Sequence, residues 1–396
     1  MSRSEQIDAS KLKGVPTSYS SVGWSLLIIG VVLMLVAFAI NVKHASFSLI
    51  MTLTYVATIG TGALFWVGTE YVSSAVWSTV LRRPFEFMAG VIPFLFILVF
   101  PLLFNLHSIF AWTHKSLFAT DPTMLVRAPY LNIPFFIIRT ILVIGVWCLF
   151  YFLIVRNSKL QDTTRDQRLT KRNVNLSAGF MPVFAITLTL FTVDWLMSLA
   201  PDWTSTVFAV YVFAGAALGA MAFGTLLIVK LNEKDRFPVK LTPDHYYNLG
   251  AFLFAFINFW AYIAFSQFML QWYGNLKEET SWYIPRMHGS WAVVSIVLAL
   301  AEFLIPFFML VSRAAKLNPR RLVFVSVWLL VAHAIDIYWL TMPEYSSSRA
   351  VFGLGEIAFL FLSAGIVLAV FAWKAKKNNM VPIGDPKLER GLEFHL

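Results

Sequence analysis

Asp194-Trp-Leu-Met-Ser-Leu-Ala-Pro201-Asp202-Trp203 returns 142 residues later as Asp336-Ile-Tyr-Trp-Leu-Thr-Met-Pro343-Glu344-Tyr345. In both copies an acid sits in an apolar run seven residues before a proline, and an acidic residue and an aromatic follow it. The offset is too long for a solenoid unit but suits four membrane-crossing helices with their loops. An ionised carboxylate inside a membrane segment costs about 2.5–3.5 kcal/mol on insertion scales and marks a functional position by default. The repetition therefore predicts two related halves, each with an acid at the same depth.

The rest of the chain agrees with a membrane setting. Hydrophobic residues make up 58% of the 396, charged residues only 13%, and mean hydropathy is +0.71. A soluble domain carries roughly 25% charged residues. Ten apolar stretches of about the crossing length of 20 residues lie at 22–41, 49–77, 87–107, 132–155, 176–200, 205–230, 247–273, 290–312, 322–342 and 350–373. Threading these spans back and forth puts 24 of the 31 Lys and Arg on one side and 6 on the other, with Arg139 inside the membrane. The positive-inside rule then predicts that both termini are cytoplasmic. The net charge of +10 is thus a topology signal. It lacks the clustered basic residues with interleaved aromatics that a nucleic-acid surface needs. The first twenty residues are polar, and the apolar stretch after them is long enough to span, so no cleavable signal peptide is expected.

These observations predict an all-α membrane protein of ten transmembrane helices. Its parts are a cytoplasmic segment (1–21), a flanking helix (22–48), a first four-helix bundle (49–200, helices two to five), a second (201–345, helices six to nine), a flanking tenth helix (346–374) and a cytoplasmic tail (375–396). Both copies of the phrase cross the membrane in the same direction, so the repeat is parallel. Transporters usually carry inverted repeats and broken midplane helices, which counts against an independent ion or solute transporter. Gly215-Ala-Ala-Leu-Gly219, continued by Ala222, reads as a small face for close helix packing. Pro93, Pro101, Pro134, Pro182 and Pro306 are expected to interrupt helices and free carbonyls. The loop 108–131, with Trp112, His114 and Asp121-Pro122, is expected to meet partner subunits. The tail, with Lys376, Lys377, Lys387 and Arg390, is expected to be solvated near lipid headgroups.

The intramembrane ionisable set is small. Glu70 falls toward the inner end of helix two and Glu302 near mid-membrane in helix eight. Arg139, Asp194, His333, Asp336 and Glu356 fall in the outer half. His333 and Asp336, three apart, share a helix face. Thr187, Asp194 and Ser198 line one face of helix five; Asn258, Tyr262 and Ser266 line one of helix seven. Such faces make either interhelical hydrogen bonds or a wet proton path. Arg139 and Asp194 fall at nearly equal depth on adjacent antiparallel helices, which predicts a salt bridge. His333–Asp336 reads either as a proton-handling or quinol-adjacent group or as core. Glu302 reads as a protonated or water-bound acid. Glu70 and Glu356, closer to the interfaces, are equally explained by solvation. These seven residues are the candidates for a proton path.

No ligand set for a redox centre is readable. Cys148 is the only cysteine, whereas an iron–sulfur cluster takes about four thiolates. His333 is the one histidine expected deep in a helix, while haem b between membrane helices usually takes facing histidine pairs. His107 falls at a helix end, and His44, His114, His245, His288 and His395 fall in loops or tails. No haem-attachment motif, nucleotide loop, Ser/His/Asp order or metal cluster appears.

The stretch Met197-Ser-Leu-Ala-Pro-Asp-Trp-Thr-Ser-Thr-Val-Phe, with Tyr211-Val-Phe-Ala-Gly and Phe259-Trp-Ala-Tyr-Ile-Ala-Phe-Ser-Gln-Phe-Met-Leu-Gln-Trp-Tyr, resembles the ActF family. These are integral membrane subunits of bacterial alternative complex III, a quinol:cytochrome c (or high-potential acceptor) oxidoreductase, related to NrfD/PsrC-type quinone-binding subunits. The loop Glu278-Glu279-Thr-Ser-Trp-Tyr and Gly289-Ser-Trp291 fit it too, and the likeness runs through essentially the whole chain. The resemblance implies an inner-membrane location beside an ActC-like membrane subunit. It also implies partner subunits that carry haem c and iron–sulfur clusters on the outer side. This chain is then expected to bind no cofactor of its own beyond quinone or quinol. Two roles are then open: a scaffold whose intramembrane acids relay protons, or, as the family's quinone-binding label implies, a subunit that itself binds and oxidises quinol on the outer side.

Overall fold

A computed structural model of the chain describes residues 7–114 and 122–395. Ten helices in it are long and apolar enough to cross a membrane: α1 (Thr17–Ile40), α2 (Val42–Ser73), α3 (Thr79–Leu103), α4 (Ile133–Thr164), α5 (Arg168–Leu199), α6 (Phe208–Glu233), α7 (Pro243–Gly274), α8 (Gly289–Leu310), α9 (Pro319–Tyr345) and α10 (Leu354–Lys377). Among the described residues there is no strand, only two isolated β-bridges.

Local chemistry sets where these helices begin and end. Asn41 alone separates α1 from α2: its backbone is extended (φ −151°, ψ 103°) and its side chain accepts from the His44 N–H. An Asn N-cap satisfies a backbone donor that the first helical turn cannot. The expected loop before residue 49 is therefore helix, and His44 lies in the first turn of α2. Pro134 likewise sits in the first turn of α4, behind the Asn132 cap. There it starts the helix instead of interrupting it, because its missing N–H would be an orphan anyway. His245 belongs to the first turn of α7, where its Nδ1 accepts from the Thr242 N–H.

Burial places α2 and α6 at the centre. Their most apolar windows are 94% and 89% buried within the protein, against 22% for α1. The two central helices cross at Gly62, where an added Cβ would stand 2.2 Å from the Ala216 carbonyl oxygen. Only glycine admits that approach. The buried hydroxyls of α2 are mostly satisfied locally: Ser46, Thr52 and Thr61 donate to the carbonyls four residues back, as hydroxyls in helices commonly do. α2 packs on α3 and α5, α5 on α4, α6 on α7 and α9, and α8 on α7 and α9, while α1 lies along α10. Tyr262 is 66% exposed and Asn258 and Ser266 are half-buried, so the expected polar face of α7 does not line the core. The buried side of α7 is instead Leu253, Ile257 and Trp260.

The two copies of the repeated phrase differ in backbone. After Asp194 the α-helix ends at Trp195, and a 3₁₀ turn over Met197–Leu199 leads to Pro201. After Asp336 the helix runs on through Pro343 to Tyr345. A proline inside a helix strips the hydrogen bond from the carbonyl four residues back, here that of Trp339. The buried Arg286 guanidinium supplies the replacement, donating to Trp339 O (3.3 Å) and Leu340 O (3.1 Å) while pairing with Glu344 (3.3 Å). Burial draws Arg286 down to about 10, so it stays cationic at neutral pH. The acids accordingly stand at different distances from their helix ends, five residues for Asp194 and nine for Asp336.

Both termini meet on one face. Ile7 bridges Val239, Lys13 bridges Asn379, and the Met380 N–H donates to Leu12 O (2.8 Å). The tail expected to be solvated is folded against this terminal face, with Met380, Val381, Leu388 and Leu392 buried. Gly384 lies so close to α4 that a Cβ there would meet Gln161 O at 1.9 Å. On the opposite face Trp112 is 1% exposed, packed against Phe110 and Phe136. It is core and not a partner-facing surface. His114 is exposed there, while Asp121 lies outside the described residues.

Candidate functional site

The ionisable candidates fall into four groups. Arg139 of α4 and Asp194 of α5 form a bidentate pair, with Nη2 to Oδ1 at 2.8 Å and Nε to Oδ2 at 2.9 Å. Nη1 donates to Tyr130 O (3.0 Å), and the Tyr130 and Phe135 rings cover the guanidinium at 3.7 and 4.3 Å. Thr187 and Ser198, on the same face of α5, are engaged locally. Thr187 accepts from Trp147 Nε1, and Ser198 donates to the Asp194 carbonyl. A fork-to-fork pair of this kind is rigid, which suits a fixed structural bond.

The second group lies between the two central helices and α9. His333 Nε2 is 2.9 Å from Thr58 Oγ1 of α2, and the Tyr55 ring packs 5.3 Å away. His333 Nδ1 has no hydrogen-bond partner. One turn on, Asp336 accepts from Tyr211 of α6 and from Trp260 of α7 (3.4 Å). The small stripe of α6 makes room for this pair. A Cβ on Gly215 would lie 3.2 Å from His333 Cε1, and one on Gly219 would lie 3.1 Å from Cδ2. The stripe does serve packing, and what it packs is the His333 imidazole.

Glu302 completes this group. It is fully buried on α8, and neither carboxylate oxygen has a hydrogen-bond partner. It lies within electrostatic range of Asp336 and Tyr55. The backbone around it is a π-helical turn over Ala299–Leu304, a local widening often found at functional positions. In the i→i−5 register of this turn, where the Ile305 N–H bonds to Leu300 O, Pro306 leaves the Ala301 carbonyl without its donor, and Trp328 Nε1 supplies one (2.8 Å). A buried polar group without a partner is uncommon and calls for a specific reason.

The third group lies at the terminal face, where charges expected to be solvated are buried. Arg82 reaches Glu70 (2.8 Å), Asp385 of the tail (2.6 Å) and Glu86 (3.3 Å). Its neighbour Arg83 reaches Asp162 (2.7 Å) and Glu86 (3.3 Å), and Ser158 donates to Glu86 (2.6 Å). Glu70 is 6% exposed, so solvation does not account for it. A cavity of about 180 Å³ lined by Trp66, Trp77, Phe85 and Phe252 opens beside Glu70 and Arg82.

In the fourth group, Glu356 in the first turn of α10 accepts from the Gly353 N–H (2.7 Å) and lies 2.8 Å from His44 Nε2. It too is 1% exposed and not solvated. Glu356 lines an apolar cleft of about 280 Å³ between α8, α9 and α10. His44, Tyr211, Thr58 and the Arg82–Arg83 cluster are functional candidates that the sequence reading missed. Tyr211 and Thr58 carry no charge, and the others fall at span ends where charge is ordinary. Among the described residues, no three His, Cys, Asp or Glu side chains gather into a metal-binding group. No protein-family profile matches the chain, and no curated protein matches it.

Proposed function

We propose that this chain is a ten-helix membrane subunit of a quinol oxidoreductase of the alternative complex III kind, and that it scaffolds the complex and relays protons. The single observation that carries the relay is Glu302, a buried carboxyl with no partner. It stands in electrostatic range of Asp336, which is held by Tyr211 and Trp260 next to His333. An unpaired intramembrane acid is costly and marks ion or proton traffic. Glu302 and Asp336 would take and give the proton at their carboxyl oxygens, and His333 at its free Nδ1. Arg139–Asp194 would hold the first half together, and the Glu70–Arg82 cluster would anchor the terminal face. On this reading the cytoplasm is at the terminal face of a bacterial inner membrane. Electrons pass through haem c and iron–sulfur partners next to an ActC-like subunit. The α2–α6 crossing, with matching contacts of α2 to α9 and α6 to α5, supports two parallel four-helix bundles about that axis.

A second reading, quinol oxidation by this chain, is favoured by one observation: the apolar cleft between α8, α9 and α10 is lined by Glu356, which His44 backs. One experiment separates the two. In vesicles holding the whole complex, Glu302→Gln and Asp336→Asn are expected to at least halve the protons moved per quinol oxidised, with subunit yield unchanged. Wild-type coupling in both variants would remove the relay. Glu356→Gln is expected to leave quinol oxidation at its normal rate; a tenfold slower rate would instead establish the quinol site.

A further inference from the structure

Away from these groups, α1, α3 and α10 enclose a groove of about 500 Å³ lined almost wholly by apolar side chains, among them Trp24, Val31, Phe94, Ile97, Leu362 and Trp373. Trp373 and Leu362 are eleven residues apart on α10, roughly 16 Å at the helical rise of about 1.5 Å per residue. That is about half of the roughly 30 Å hydrocarbon thickness, so the groove covers one leaflet. Its mouth is at the terminal face, where tryptophans commonly sit at the headgroup level.

Two lysines flank Trp373, which lines that end of the groove. Lys374 Nζ lies 4.5 Å from the Trp373 ring and 5.7 Å from Tyr151, and Lys377 Nζ lies 5.1 Å from Trp373. Lys374 is in electrostatic range of Lys377 and Lys159, and among the described residues no carboxylate offsets it. Lys159 also feels Glu86 and Asp162, but both of those are engaged by Arg83. Like charges gathered beside the end of an apolar slot, with no acid of the described residues between them, fit an anion that brings its own hydrocarbon. We propose that this groove holds one anionic phospholipid of the terminal-face leaflet, its acyl chain against Val31, Phe94 and Leu362 and its phosphate on Lys374 and Lys377. Basic pockets between membrane helices bind acidic lipid headgroups in this way.

The test uses the full chain, purified in detergent and delipidated, with native mass spectrometry after adding phosphatidylglycerol or phosphatidylcholine of identical acyl chains. The expected result is one tightly held phosphatidylglycerol, preferred at least tenfold over phosphatidylcholine. The wild-type comparison needs no variant and so is safe from misfolding. Lys374→Gln with Lys377→Gln is expected to cut that preference at least fivefold, while Lys240→Gln with Arg236→Gln, exposed charges elsewhere on the same face, leaves it unchanged. Equal retention of the two lipids, retention of neither, or a preference that survives Lys374→Gln with Lys377→Gln would overturn the proposal.

Discussion

Replacing Arg139 with methionine is expected to destabilise the protein by about 3–5 kcal/mol, the usual cost of stranding one member of a buried ion pair. Asp194 is 1% exposed, and both its oxygens take their charged donors from Arg139. Without the guanidinium, the carboxylate is left in a low-dielectric site among Tyr130 and Phe135. The Tyr130 carbonyl also loses its donor, a smaller loss of about 1 kcal/mol. The double change Arg139→Met/Asp194→Leu removes both charges and should recover most of the stability, leaving mainly the Tyr130 term. Thermal unfolding in one detergent, with subunit yield alongside, reads the difference. Equal losses in the single and double variants would contradict a pair that matters.

Arg82→Met is expected to do at least as much damage. Two guanidiniums there face four carboxylates, Glu70, Glu86, Asp162 and Asp385, and the change leaves one against four. The first casualty should be the tail, because Asp385 is its ionic tie to α3. Burial alone would push the Asp385 carboxyl up; the Arg82 guanidinium, with the Lys387 N–H, outweighs it and holds the group below its ordinary 3.8. A depressed carboxyl stabilises above its unfolded value and loses that contribution as pH falls through the folded one. Hydrogen exchange over 378–395 should therefore show wild-type protection at pH 5–8, lost only below about pH 4. Arg82→Met should lose it throughout. Full protection of the tail in Arg82→Met would contradict the tie.

The membrane class and the ten spans were legible because hydrocarbon thickness imposes a length that composition reveals. The Arg139–Asp194 contact was legible because adjacent antiparallel helices put equal depths side by side. What stayed hidden depends on side chains that meet from far apart in the chain. His44 and Glu356 are 312 residues apart, and each sits at a helix end where solvation is a sufficient account. Arg82 and Arg83 count as loop charges in a topology reading, yet tail residues beyond the last span cover them. The stripe Gly215–Gly219 announces close packing without naming the His333 ring as its object. The repeated phrase implied equal depths, but the first copy leaves the α-helix at Trp195, before its proline, while in the second the helix runs through its proline because Arg286 satisfies the freed carbonyl.

Membership of a quinol-oxidising complex is tested most directly by isolating the chain from its native membrane in mild detergent and identifying what stays with it. The expected result is a stoichiometric assembly with a second multi-pass subunit, a cytochrome c absorbance and an iron–sulfur signal in low-temperature electron paramagnetic resonance. Recovery of the chain alone or as an oligomer of itself, with neither signal, would contradict it.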